Sequence, residues 1–205
     1  MEKCFDVVGI GNAIVDVLVQ ANDDLIDNFE LTKGTMALVD EHQAETLYSQ
    51  VGPGLETSGG SAANTLAGVA QLGGRAGFIG RVRNDQLGGI FAHDIRSVGA
   101  RFETPAATEG PSTARCLILV TPDAQRTMCT YLGASVGLDP ADLDLEMVAQ
   151  AKLLYLEGYL WDSDEAKAAF IAAAIISGSF ASAIAVFIRT PSQPSSIATA
   201  ASDAV

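Results

Sequence analysis

Phe5-Asp6-Val7-Val8-Gly9-Ile10-Gly11-Asn12-Ala13-Ile14-Val15-Asp16 is the stretch on which the fold reading turns. Its first half is a short apolar, β-branched run that ends in glycine. It is too short for a helix and too apolar for an exposed segment, so it reads as a buried first strand. A Gly-x-Gly after a first strand invites a dinucleotide-binding reading. That fingerprint needs a third glycine where a helix starts and an acidic residue about 20 positions later. Position 14 is isoleucine, and Ile14 to Val19 continues as a second strand. A nicotinamide-dependent enzyme is therefore a distant alternative. What remains is a carboxylate, Asp16, beside the end of a buried strand, where open α/β sheets place their ligand crevice. A carboxylate accepts hydrogen bonds from two neighbouring hydroxyls, which suits a sugar diol. An exposed turn aspartate is the plainer reading of the same residue.

Outward from this stretch, strands and helices alternate. Met36 to Val39 reads as a further small strand, and Asp40 to Gln50 as a helix with Asp40 as its N-cap. Pro53, Gly54, Gly59 and Gly60 mark a loop. Ser61 to Leu72 is a helix of small residues stopped by Gly73-Gly74. Ala76 to Val82 is a strand, and Asn84 or Asp85 caps a helix that ends at Gly99. Ala114 to Thr121 and Arg126 to Leu132, joined by Pro122-Asp123-Ala124, form a hairpin. Lys152 to Leu156 is another buried strand, and a helix starts near Asp164. Alternation of this kind predicts an α/β fold with a parallel-sheet core. The extra strands at about 14–19, 36–39 and 114–132 predict a second, small sheet placed as a lid.

The second informative stretch is Ser58-Gly59-Gly60-Ser61-Ala62-Ala63-Asn64-Thr65. Two adjacent glycines let backbone approach a ligand and allow hinge rotation. They precede a helix, whose first N–H groups can bind oxygen atoms. Asn64, one turn in, both donates and accepts, which suits hydroxyl recognition. The pair by itself is weak; the pair with Asn64 downstream and Asp16 upstream is much more specific. These residues are expected to converge in one cleft near the edge of the small sheet.

Composition narrows the classes. With 12 Lys and Arg against 25 Asp and Glu, the net charge of −13 argues against nucleic acid and anionic membrane surfaces. Three cysteines, Cys4, Cys116 and Cys129, show no metal-binding spacing, and His42 and His93 lie far apart, so no metal site is expected. Cys116 and Cys129 read as packing residues. Asp139, Asp142, Asp144 and Glu146 read as a solvated helix entry, and Glu157-Gly158-Tyr159 as either a rim of the site or a turn. The N-terminus lacks a basic region followed by an apolar stretch. Phe170 to Ile188 is apolar but interrupted by serine and glycine, unlike a membrane span. A soluble, cytoplasmic protein is expected.

Together, Gly11-Asn12 with Asp16, the run Gly59-Gly60-Ser61-Ala62-Ala63-Asn64, and Gly73 to Val82 followed by Asn84-Asp85 and Gly88 resemble the PfkB, or ribokinase-like, family of carbohydrate kinases. Thr121 to Met128 and Leu132 to Ser135 bring the chain nearest to its adenosine kinase-like members. The resemblance covers about residues 4–174 and implies the N-terminal part of a ribokinase-like domain with a β lid. It implies an ATP- and Mg²⁺-dependent kinase of purine-salvage type, acting on a small-molecule nucleoside or sugar hydroxyl, with adenosine first and a free sugar second. In that family the residues matching Asp16 and Asn64 hold sugar hydroxyls and the pair matching Gly59-Gly60 is the lid hinge. A lid arginine, matched by Arg126, swings toward the transferred phosphate; read from its own surroundings, Arg126 is equally a solvated hairpin residue.

The family's second signature, Asp-Thr-x-Gly-Ala-Gly-Asp, occurs nowhere in the chain, nor does the Asn-x-x-Glu element that organises magnesium. No catalytic base can therefore be named, and the family's ATP and Mg²⁺ residues are missing with the C-terminal half. The expectation is an inactive fragment, or a ligand-binding or interaction remnant. From Ile175 to Val205 only Arg189 and Asp203 are charged. This Ser/Ala-rich tail, 175–205, reads as atypical of the family, even frameshifted, and is expected to add little ordered sheet. Strands near Val7 and Leu154 should then keep an unpaired edge or exposed apolar surface. Nothing in the sequence bears on oligomeric state.

Overall fold

The computed structural model describes residues 3–161, 163–177 and 183–186. Strand propensity and burial agree in the first element. β1 (Phe5–Ile10) carries fully buried Val8 and Ile10. β2 (Ile14–Gln20) follows after a three-residue loop, then α1 (Asp23–Asn28), β3 (Met36–Leu38) and α2 (Glu41–Gln50). Asp40 caps α2 in a reciprocal box with Gln43, which satisfies two backbone N–H groups at once. β4 (Leu55–Gly59), α3 (Ser61–Gln71), β5 (Ala76–Ile79), α4 (Gln86–Ser97) and β6 (Arg101–Phe102) come next. β7 (Ala114–Val120) and β8 (Arg126–Tyr131) form the expected hairpin. α5 (Leu145–Ala149), β9 (Ala151–Glu157), α6 (Asp164–Ile176) and β10 (Ala183–Val186) complete the order.

Two five-stranded sheets result, one ordered β10-β9-β1-β5-β6 and parallel throughout, the other β3-β8-β7-β2-β4 and mixed. The parallel sheet is covered on both faces, as parallel sheets must be. One face joins Phe78 to Leu66 of α3 and to Phe91 and Ile95 of α4. The other joins Val8, Ile10 and Ile79 to Met147 of α5 and Phe170 of α6. Gly9 lets α3 lie close, since a Cβ there would meet a Leu66 methyl at 2.4 Å. The second sheet shares the first core: Val15, Val17, Val19, Leu117, Leu119 and Cys129 alternate inward and are all buried in it. The sheets are thus held by one apolar cluster, and the lid's other face carries Asp16, Cys116 and Thr130 in one cross-strand row.

Several expectations change. The segment read as a loop around Pro53 to Gly60 contains β4, paired antiparallel with β2 from Leu55 opposite Leu18 to Gly59 opposite Ile14. The short α1 and the two-residue β6 carry too little periodicity to be seen in sequence. The expected unpaired edges are also corrected. β1 is flanked by β5 and β9, and β9 is flanked by β10 through Leu154 opposite Ala183. α6 runs across the 174/175 boundary to Ile176, and β10 adds four residues of sheet from the tail. The rest of that segment lies outside the described residues. No described helix is long and apolar enough to cross a membrane.

Candidate functional site

Asp16 sits within β2, on the lid face turned away from the shared core, half-buried. Its cross-strand neighbours are Thr57 on β4 and Cys116 on β7. No described side chain or backbone group donates a hydrogen bond to its carboxylate, and burial pushes its pKa up to about 6. A charge that is partly desolvated and unpartnered is costly, and such groups concentrate where ligands bind. Gly59 lies directly against it: a Cβ there would fall 2.3 Å from the Asp16 carboxyl carbon. Any side chain at 59 would displace the carboxylate.

Gly60 caps α3 with φ +95°, a conformation open to glycine, and a Cβ would meet the Asn12 carbonyl oxygen at 2.3 Å. The Asn64 N–H donates to the Gly60 carbonyl at 2.9 Å, closing the first turn of α3. The Asn64 side chain is exposed and makes no hydrogen bond among the described residues. The structure therefore sets Gly59 against Asp16, has Gly60 next in the chain against the Asn12 carbonyl, and places Asn64 one turn further into α3.

Two further carboxylates flank this turn. Glu157, at the C-terminal end of β9 and only 2% exposed, accepts from Asn12 N at 2.6 Å and Asn12 Nδ2 at 3.1 Å. Its other oxygen accepts from Ala62 N at 3.1 Å and from the Ser61 hydroxyl. Of the rim and turn readings, the structure gives a third: a buried anchor. Of the first N–H groups of α3, expected to be open to ligand oxygens, that of Ala62 is already taken by Glu157. On the other side, Asp94 of α4 accepts from Thr57 Oγ1 at 2.7 Å and from Ser58 N at 2.7 Å. Desolvation opposes its ionisation, but the Ser58 and Thr57 hydrogen bonds outweigh that and hold its carboxyl below the usual range.

Arg126 begins β8, exposed, opposite Val120. The lid row that holds Asp16 passes through Cys116 to Thr130. Arg126 is four residues from Thr130, about 13 Å along the strand. In this conformation it stands apart from Asp16. The acidic run does stand at helix entries, with Asp139 capping a short turn and Asp144 capping α5, but Asp139 and Asp142 also pair with Arg81, at 3.2 and 2.8 Å. Cys116 and Cys129 are buried, with the Cys116 thiol pushed up to about 11 by burial. A cavity of about 280 Å³ between α1, α2 and β8 is lined by Phe29, Leu31, Leu47 and Cys129 and does not include Asp16.

Among the described residues no three His, Cys, Asp or Glu side chains converge to hold a metal ion. At α3, the described helix that follows the glycine pair, a carboxylate already occupies the start.

The profile of the pfkB family carbohydrate kinases matches residues 35–205. The chain belongs to the PfkB family. It is 50% identical to a probable sugar kinase from Rhizobium etli CFN 42, over 87% of this chain and 54% of that one, with a TM-score of 0.78. It is 51% identical to adenosine kinase from Sinorhizobium meliloti, over 85% of this chain and 53% of that one, with a TM-score of 0.76. A fructokinase-2 of Solanum lycopersicum is 29% identical over 103 residues, 49% of this chain and 31% of the relative. The PfkB chain thus spans about half the length of the solved structures and about a third of that curated relative. Its two sheets are those of a ribokinase-like core and its lid.

Proposed function

We propose that this chain is the acceptor-binding part of a kinase that phosphorylates a ribosyl hydroxyl, with adenosine the preferred acceptor and a free sugar the second choice. The observation that supports it most is the Asp16 carboxylate, half-buried and without an internal donor, abutting the glycine pair. Two adjacent hydroxyls of a ribose would donate to its two oxygens, and the Asn64 amide, one turn into α3, would donate to or accept from a third polar group. The likeness to the Sinorhizobium meliloti adenosine kinase favours a nucleoside over fructose, because the fructokinase likeness is weaker and shorter. Arg126 would serve as a lid cation for the transferred phosphate after closure. ATP is the donor that family membership points to. The family's second signature does not occur in the sequence, and this supports reading the chain as one that captures the acceptor without itself transferring a phosphoryl group.

Calorimetry with adenosine and with ribose at pH 8, beside a coupled assay with MgATP, tests this reading. The expected result is saturable adenosine binding that Asp16→Asn abolishes, and no turnover. Absence of binding to either compound would refute the acceptor site. Turnover in the ordinary kinase range of about 1–100 s⁻¹ would refute the division of labour.

A further inference from the structure

We infer that Glu157 is a positioning residue for the acceptor site: it locks the first turn of α3 to the β1–β2 loop and so sets where Asn64 stands relative to Asp16. A buried carboxylate persists only if its oxygens are filled. Here the filling is done by four donors from two separate segments, Asn12 N and Nδ2 on one oxygen, Ala62 N and the Ser61 hydroxyl on the other. No described lysine, arginine or histidine pairs with it. Its charge is balanced by backbone and amide dipoles and by the start of α3.

The surrounding residues serve the same contact. Gly11 leaves the carboxylate room, since a Cβ there would come 2.8 Å from Glu157 Oε2 and 2.6 Å from the Ala62 methyl. The Asn12 amide is oriented by the Ser135 hydroxyl, 2.8 Å from Asn12 Oδ1, which leaves Nδ2 to face Glu157. Because all four donors are internal, Glu157 acts through Asn12 and α3.

The consequence lies at the glycine pair. Asp94 fastens Thr57 and Ser58 before it, and Glu157 fastens Ser61 and Ala62 after it. Only Gly59 and Gly60 remain between two fixed points. Asn64 is carried rigidly by α3, while Asp16 is carried by the lid strand beside Gly59. The Glu157 contact thereby defines the gap across which a diol would be held.

The inference rests on the acceptor reading above, and the test separates the two. Residue-resolved amide exchange on the ligand-free chain compares wild type with Glu157→Gln. Exchange at Ala62 and Asn64 should rise at least about tenfold while Val8 and Phe78 are unchanged. Ser61→Ala, which removes one donor and keeps the carboxylate, should give a smaller rise at the same amides, and stands in if Glu157→Gln does not fold. Unchanged exchange at Ala62 and Asn64 in the variant that folds overturns the inference. Calorimetry then compares adenosine with 2′-deoxyadenosine. A positioning role predicts that the wild-type preference for the ribosyl compound falls toward unity in the variant, a ratio that mere loss of stability would not move. A preserved preference overturns the positioning role even if exchange rises. If wild type binds neither compound, the acceptor reading fails and the exchange result alone decides whether Glu157 fixes α3.

Discussion

Replacing Asp16 with asparagine should stabilise the free protein while destroying acceptor binding. Burial raises the Asp16 pKa from its ordinary value of 3.8 to about 6. Between those values the folded chain holds a proton that the unfolded chain has released. Raising the pH through this window therefore lowers stability, because ionisation is easier in the unfolded state. The effect of Asp16 is absent below about pH 4 and complete above about pH 6. A shift of roughly two pH units at about 1.4 kcal/mol each sets an upper limit near 3 kcal/mol. Asp16 is only half-buried, so solvent screening brings the expected gain to about 1–2 kcal/mol. Asparagine is close in shape and carries no charge, so it removes this penalty. Urea melts of both proteins at pH 4 and pH 8 make the measurement, with coincident midpoints at pH 4 and a higher midpoint for Asp16→Asn at pH 8. An Asp16→Asn protein less stable than wild type at pH 8 would refute the reasoning, as it would mean that the carboxylate makes a stabilising contact. The same titration governs function: adenosine affinity of the wild type should weaken as pH falls through about 6, when the acceptor of the diol hydrogen bonds is lost.

Two other perturbations test the frame that carries the site. Gly60→Ala forces a side chain onto φ +95° and onto the Asn12 carbonyl oxygen at 2.3 Å. It should cost at least about 1–3 kcal/mol, read as a lower urea midpoint. Phe91→Ala opens the three-ring cluster in which Phe91 lies 5.7 Å from Phe78 and 5.3 Å from Phe102. It should cost about 3–5 kcal/mol by the same measurement; a loss under 1 kcal/mol would show that the ring cluster is not a tightly packed part of the core.

What could be read from the sequence was what short-range physics writes there. β1 announces itself because Val7, Val8 and Ile10 are apolar and β-branched and stop at Gly11, and α2 because Asp40 and Gln43 stand at capping distance. The β7–β8 hairpin is visible because two alternating runs flank a polar turn. Asp16, Gly59 and Gly60 stand out as candidate site residues because each is chemically out of place: a carboxylate inside an apolar alternation, and two glycines where a helix starts. The structure adds the reason, since Gly59 is the only residue small enough for the space beside that carboxylate.

What escaped was held by contacts distant in sequence. β4 reads Leu-Glu-Thr-Ser-Gly, with no alternation to mark a strand; it is fixed by pairing with β2 and by Asp94, 36 residues from Ser58. Glu157 is 145 residues from Asn12, and nothing near it separates an anchor from a turn residue. Glu157, which the sequence leaves between a rim and a turn, and Asp94, which it does not single out, are both held by backbone N–H groups, hydroxyls and one side-chain amide, and such donors leave almost no mark on a sequence. Asp16 differs from them in one respect: none of the described residues donates a hydrogen bond to it. Of the three carboxylates gathered around Gly59 and Gly60, two have their hydrogen bonds met within the fold, and the third bears a raised pKa that an incoming pair of hydroxyls would relieve. On the proposed reading, that difference separates the residues that hold the site from the residue that would bind the acceptor.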